Sequence, residues 1–265
     1  MIYEHNLSPV LINIFGLQFK YYSVAYILGF IFTYYFIKFA SEKHPKLNMN
    51  KEKLDNLIST GILAIILGGR LGYVLFYNLN YFLHYPGKIF AIWEGGMSFH
   101  GAVIGGLVGL VYFCKKEKVP LLSMLDLVVV SAPVGLFFGR VANFINGELW
   151  GRPVEGGSWG IIFPSKDMLP RHPSQLYEAF LEGLVLFVIL ITLYRLKELK
   201  KVKINPGFLS GIGMIGYSLS RMIIENFREP DAQIGFLFGN ITMGQTLSFP
   251  LLILGVYLVL RKSEK

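Results

Sequence analysis

The chain has 265 residues, 53% hydrophobic and 15% aromatic but only 16% charged, and its mean hydropathy is +0.51. A soluble domain carries about 25% charged residues, so the composition excludes a water-soluble globular fold and points to a membrane protein. The formal charge of +8 would suit a nucleic-acid partner, but the basic residues are gathered between apolar runs, which argues against one.

Cys114 is the only cysteine, so no intrachain disulfide is available. Residues 1–20 lack the pattern of a removable signal segment. From there seven apolar runs follow, at about 21–39, 57–76, 97–114, 121–138 (continuing to about 143), 176–193, 208–224 and 241–260. A transmembrane helix needs about 20 residues. The predicted fold is therefore an all-α polytopic membrane protein of seven transmembrane helices, forming one membrane-embedded domain over 1–265.

Lys and Arg in the connections set the orientation. Fifteen of the 25 lie on one side: Lys43, Lys46, Lys51 and Lys53; Lys115, Lys116 and Lys118; Arg195, Lys197, Lys200, Lys201 and Lys203; and Arg261, Lys262 and Lys265. With an odd helix number, the N-terminus is expected outside and the C-terminus in the cytoplasm. Arg70, Arg140 and Arg221 then fall in the outer portions of their helices, with His100, Tyr22, Gln175 and Glu178 at the same level. The outer connections, 77–96 and 144–174, are rich in Gly, Pro, Trp and Tyr and read as structured interfacial segments. Trp93, Trp150 and Trp159 suit an aromatic belt. Glycines four apart (Gly68 and Gly72; Gly101, Gly105 and Gly109; Gly207 and Gly211) predict close helix contacts, and Pro133 and Pro250 predict kinks.

The stretch Gly139-Arg140-Val141-Ala142-Asn143-Phe144-Ile145-Asn146-Gly147-Glu148-Leu149-Trp150-Gly151-Arg152 closes the fourth run. An arginine at membrane depth costs ~2.5–3.5 kcal/mol on insertion scales and needs a polar partner. Glu148 is the expected partner of Arg140, and Asn146 a candidate helix cap. Tyr217, Arg221, Glu225 and Arg228 share one face of the sixth helix, with Glu225 placed to pair with both arginines. The alternative for Glu225 is a helix-locking ion pair. Guanidinium forks match phosphate oxygens, so the level reads as a site for an anionic lipid head group. His100 would act as a base among these cations or as a packing residue. Ser98 and His100, two apart, point different ways, which argues against a dyad. No carboxylate–histidine cluster suits a metal, and no P-loop or dinucleotide motif is present. No metal or other cofactor is expected. No nucleophile of the chain's own stands at this level, so a group-transfer substrate would have to supply one.

These motifs resemble the bacterial prolipoprotein diacylglyceryl transferase family along almost the whole chain. The matching stretches are Gly68-Gly69-Arg70-Leu71-Gly72-Tyr73, Gly96-Met97-Ser98-Phe99-His100-Gly101, the 139–152 run, Arg171-His172-Pro173-Ser174-Gln175-Leu176-Tyr177-Glu178, the stretch from Tyr217 to Asp231, and Met243-Gly244-Gln245. The resemblance implies a plasma-membrane enzyme with its active site toward the outer leaflet. It would take phosphatidylglycerol as donor and the lipobox cysteine of a prolipoprotein signal peptide as acceptor, forming a thioether and releasing glycerol 1-phosphate. On this reading Arg140 and Arg221 hold the phosphate and His100 receives the thiol proton. Asn143, Glu148, Tyr22, Tyr217 and Glu225 position the head group or orient the arginines, with Gly151, Arg70 and Arg228 as neighbours. A transporter or flippase for an anionic lipid is the rival reading. It predicts polar residues on both sides of a pathway and internal repeats, and neither is seen.

Overall fold

The computed structural model describes residues 1–15, 17–230, 235–237, 239 and 241–261; Asp231, Lys262 and Lys265 lie outside the described residues. In chain order the elements are β1 (Ile2–Glu4), β2 (Val10–Ile14), β3 (Leu17–Lys20), α1 (Tyr21–Lys43), α2 (Lys51–Phe76), α3 (Leu79–His84), α4 (Phe99–Glu117) and α5 (Leu121–Ile145). They continue with β4 (Gly160–Ile162), β5 (Pro170–Arg171), α6 (Ser174–Glu178), α7 (Leu186–Glu198), α8 (Phe208–Ile224), β6 (Phe236–Leu237), β7 (Ile241–Thr242) and α9 (Met243–Leu260). A π-helical stretch, Ala179–Val185, joins α6 to α7.

The protein is mostly helical. Among the described residues, five helical stretches are long and apolar enough to cross a membrane: Tyr21–Lys43, Lys51–Phe76, Leu121–Ile145, Ser174–Glu198 and Met243–Leu260. The other two expected spans also form helices, α4 with 19 residues, whose last turn carries Lys115 and Lys116, and α8, which is apolar but only 17 residues long. The all-α expectation needs one correction. β1 pairs in parallel with β4, which pairs antiparallel with β5, while β2–β3 and β6–β7 are hairpins. Strands this short carry no readable period, and Ile2 meets its partner Gly160 far along the chain.

Contacts divide the chain into two compact units, 37–125 and the combination of 1–36 with 126–265. In the first unit Asn50 caps α2 by accepting from Lys53 N at 2.8 Å, and Ser98 caps α4 by accepting from Gly101 N at 3.2 Å. The glycine spacing does what it predicted: a Cβ on Gly68 would lie 2.7 Å from Gly105 Cα, and one on Gly101 2.9 Å from Gly72 Cα. Only bare backbones let α2 and α4 approach this closely.

In the second unit Gly211 meets Gly255 across α8 and α9 in the same way. Gly207 serves differently. It precedes α8 at φ +94°, a left-handed conformation suited to glycine, and offers no side chain to cap the helix. Asp126 of α5 supplies the cap instead. Its carboxylate accepts from Gly207 N at 2.9 Å, Ser210 N at 2.8 Å and Ser210 Oγ at 2.6 Å. Because these donors are buried, Asp126→Ala is expected to cost about 2–3 kcal/mol, more than an exposed cap. Asp126→Asn should cost less, as read from thermal unfolding in detergent. Equal melting temperatures for wild type and Asp126→Ala would refute the cap.

Candidate functional site

The candidate site lies in the unit formed by 1–36 and 126–265 and is built on buried ion pairs. α5 ends with Arg140 and Asn143 one helical turn apart, and α8 ends with Tyr217 and Arg221. Between them in sequence, α6 and its π-helical continuation carry Glu178 and Glu182, both 0% exposed. Arg140 Nη1 lies 3.2 Å from Glu178 Oε2, and Nη2 donates to Glu182 Oε2 at 3.2 Å. Arg221 Nη1 donates to Glu178 Oε1 at 2.5 Å and stands 3.8 Å from Glu182 Oε1, while its Nη2 reaches Glu225 Oε1 at 2.6 Å. Arg228 Nη1 also donates to Glu178 Oε1, at 2.8 Å.

Glu178 is therefore the hub for three guanidinium groups from two segments. That differs from the sequence expectation, which makes Glu225 the shared acid and Glu148 the partner of Arg140. The ion pairs of Arg140 go to Glu178 and Glu182. Helical spacing correctly puts Arg221 beside Glu225, but long-range packing brings in the other acids. Arg140, Arg221 and Arg228 face Glu178, Glu182 and Glu225, so the cluster balances when all are ionised. Such charges survive burial because each is paired. The arginines thus keep fixed orientations, and Arg140 Nε is buried without a hydrogen-bond partner among the described residues. Tyr217 stands within charge range of Arg140, Arg221, Glu178 and Glu182.

A second cluster adjoins Arg140 along the chain. Asn143 Nδ2 donates to Tyr22 Oη and, at 3.0 Å, to Glu148 Oε1; Asn146 Nδ2 donates to the same oxygen at 3.1 Å. Asn146 is thus a partner of Glu148 through its side chain. The chain turns sharply here, with Gly147 at φ +63° and Leu149 at φ +57°, and Gln175 Nε2 donates to Glu148 O at 2.6 Å. Arg140 and Glu148 both lie within charge range of Tyr22. The sequence-expected set Tyr22, Arg140, Asn143, Glu148, Tyr217, Arg221, Glu225 and Arg228 is therefore brought together within one unit. Glu182 and Gln175 join it without a role that the sequence assigns. The readable signal for Glu182 is an acid inside an apolar run, which is costly unless it serves a purpose.

Arg70, expected at the head group, is engaged elsewhere. Its guanidinium donates to five carbonyls of its own unit: Ile89, Lys88, Ala91, Gly95 and Gly96. It also stacks 5.2 Å from the Phe82 ring. These bonds use the planar fork to gather the 86–96 segment, and they give Arg70 a structural task that the sequence does not suggest. His100 belongs to the same unit, in the first turn of α4, exposed and edge-on against Phe99 at 5.7 Å. Gly151 is required by a backbone crossing. A Cβ there would fall 2.7 Å from His172 Cβ and 2.8 Å from Phe227 O. Gly151 N donates to His172 O at 3.0 Å, and Arg152 N to Phe227 O at 2.8 Å, which ties this connection to the end of α8 beside Arg228.

The profile of the prolipoprotein diacylglyceryl transferase family matches residues 9–261. The chain belongs to this family. Curated relatives named phosphatidylglycerol–prolipoprotein diacylglyceryl transferase include those of Rickettsia akari (strain Hartford), 48% identical over 98% of each chain, and Rickettsia bellii (strain OSU 85-389), 47% identical over 97% of this chain and 95% of the relative. The one from Rhodospirillum rubrum is 47% identical over 97% and 94%. The family assignment agrees with the resemblance carried by the 139–152 run.

In this member of the diacylglyceryl transferase family the connection after Arg152 is held by a second ion-pair group. Arg171 donates to Asp167 at 3.0 and 2.5 Å, to Glu229 Oε2 at 3.2 Å and to Gly151 O at 2.9 Å. The hydrogen bonds from Arg171 hold the Asp167 carboxyl below its usual range. A lowered folded-state value means that the stabilisation is present above the unfolded value, about 3.9, and is lost as pH falls through the folded one. Asp167→Asn is therefore expected to melt lower than wild type at pH 7, with the difference shrinking below about pH 4. A gap unchanged by acid would show that charge is not what Asp167 contributes. Burial also lowers the pKa of His172, whose ring packs edge-on against Trp159 and Phe227.

Proposed function

We propose that this chain, like the relatives it matches, transfers the diacylglyceryl group of phosphatidylglycerol to prolipoprotein, and that the acceptor is the thiol of the lipobox cysteine in the signal peptide. The observation that carries this reading is the Arg140–Glu178–Arg221 network: two guanidinium groups on separate helices share buried carboxylates, and a buried donor, Arg140 Nε, is left over. Family membership supports the reaction class.

In the step itself the thiolate sulfur attacks the glyceryl carbon that bears the phosphate, and a C–S bond forms as the C–O bond breaks. The bonding pair stays with the oxygen, so the phosphodiester leaves as glycerol 1-phosphate carrying additional negative charge. Arg140 and Arg221 meet that charge in this reading. Their carboxylate partners fix the forks in advance, so little reorganisation is required as charge develops. The thiol proton goes to a base, for which His100 is the candidate, because the thiolate is the competent nucleophile. Tyr22, Asn143, Glu148 and Tyr217 position the head group.

The protein is proposed to cross the plasma membrane seven times, with its N-terminus outside, its C-terminus cytoplasmic and its site toward the outer leaflet. The basic connections support this orientation. Purified protein incubated with phosphatidylglycerol and a lipobox peptide should add one diacylglyceryl group to the peptide mass. A peptide with serine in place of the cysteine should gain nothing. An unmodified cysteine peptide would remove the reading.

A further inference from the structure

We infer that Asn146 and Gln175 form the subsite that receives the hydroxyl groups of the lipid's terminal glycerol, and so select a polyol head group. The inference deepens the proposed function and rests on it.

Both amides donate their NH₂ groups to Glu148. Asn146 Nδ2 donates to Oε1 at 3.1 Å, and Gln175 Nε2 donates to the backbone oxygen at 2.6 Å. The opposite end of each amide, Asn146 Oδ1 and Gln175 Oε1, is buried with no hydrogen-bond partner among the described residues. Gln175 as a whole is 0% exposed. Buried carbonyl oxygens nearly always have donors, so each unpaired one calls for an explanation, and a ligand's donors supply one. Two leftover acceptors anchored to one residue call for a ligand rich in donors.

The chemistry of the neighbouring atoms narrows the choice. Arg140, three residues before Asn143 on α5, carries a buried Nε–H with no acceptor among the described residues, and a phosphate oxygen suits it. Asn143, one helical turn after Arg140, donates to Tyr22 and to Glu148, the residue on which both amides are anchored. An anionic phosphate at Arg140 and hydroxyls at the two amides describe one molecule, a phosphate ester of a polyol. A site built to hydrogen-bond hydroxyls rejects the analogue lacking them, because its own polar groups are then stranded.

Phosphatidylethanol provides the comparison. It has the same phosphodiester and the same single negative charge, and both terminal hydroxyls are absent. Purified wild-type enzyme in mixed micelles should show kcat/KM for phosphatidylglycerol about 10²-fold or more above that for phosphatidylethanol. Gln175→Met and Asn146→Leu, which keep side-chain size, should each shrink that ratio about tenfold, the value of one hydrogen bond. Damage to the fold, or displacement of Glu148, lowers turnover of both lipids in proportion and leaves the ratio alone. An unchanged ratio in both variants overturns the subsite and marks the two oxygens as partners of water. A wild-type enzyme that uses both lipids equally overturns it as well. If wild type transfers from neither lipid, the failure lies with the proposed function itself.

Discussion

Arg140→Ala and Arg221→Ala should each lower diacylglyceryl transfer by at least about 10³-fold, since removal of one preorganised donor at developing charge commonly costs 10²–10³ and each arginine supplies more than one N–H. The ion pairs add a second consequence. Alanine at Arg140 leaves Glu182 Oε2 without its donor at 3.2 Å, and an uncompensated buried charge costs about 3–5 kcal/mol. Loss of transfer could then reflect loss of fold. The double variant Arg140→Ala with Glu182→Gln separates the two. It should recover much of the melting temperature and none of the turnover. Arg140→Lys should restore little activity, because an ammonium cannot span Glu178 and Glu182 while presenting a further N–H. Near-normal turnover in either alanine variant, measured with purified protein and a lipobox peptide, would dismiss the phosphate clamp.

Glu178 is the residue whose loss should disturb the structure most. It holds Arg140, Arg221 and Arg228 at once and is 0% exposed. Glu178→Ala strips three cations, one buried and two largely so, of a shared partner, for an expected loss of about 3–5 kcal/mol or more together with transfer activity. Glu178→Gln is the finer probe. It keeps the shape and one acceptor, removes one negative charge and presents an NH₂ where an oxygen faced a guanidinium. The expected result is a folded protein with kcat reduced about 10²-fold or more, because the arginine orientations relax. Thermal unfolding and single-turnover transfer, measured on the same preparation, decide the matter. A Glu178→Gln enzyme with wild-type kcat would mean that the arginines do not depend on this hub.

Local signals account for the helical body of the protein and for many of the site residues. Apolar runs announce every long helix. Capping residues fix where three of them begin: Asn50 accepts from Lys53 N at the start of α2, Ser98 accepts from Gly101 N at the start of α4, and Thr242 and Gln245 close a reciprocal capping box at the start of α9. The i, i+4 spacing places Arg221 against Glu225. Glycines four apart mark the close approach of α2 to α4. Each of these features depends on residues within one or two helical turns, so a single segment contains the information.

Partner choice across segments is a different matter. Glu182 is 42 residues from Arg140, and only the packing of α5 beside the π-helical stretch shows which acid meets which base. Glu148 looks like the natural mate for Arg140 because it is near in sequence, but the turn at Gly147 and Leu149 directs it to Asn143 and Asn146. Arg70 reads from the sequence as a neighbour of the head group, and its bonds to five carbonyls of the 86–96 segment become visible only in the folded chain. The short strands share this origin, since Ile2 of β1 finds its partner only at Gly160 of β4.

The sequence by itself determined that this is a helical membrane protein with arginines set in or at the ends of apolar runs, because burying a charge or an open backbone in hydrocarbon is costly enough to leave its mark on composition and spacing. The tertiary structure alone decided how those arginines are neutralised and which buried polar atoms remain to be satisfied. Ion pairs and hydrogen bonds act over about 3 Å, and distances that short between remote segments exist only once the chain has folded.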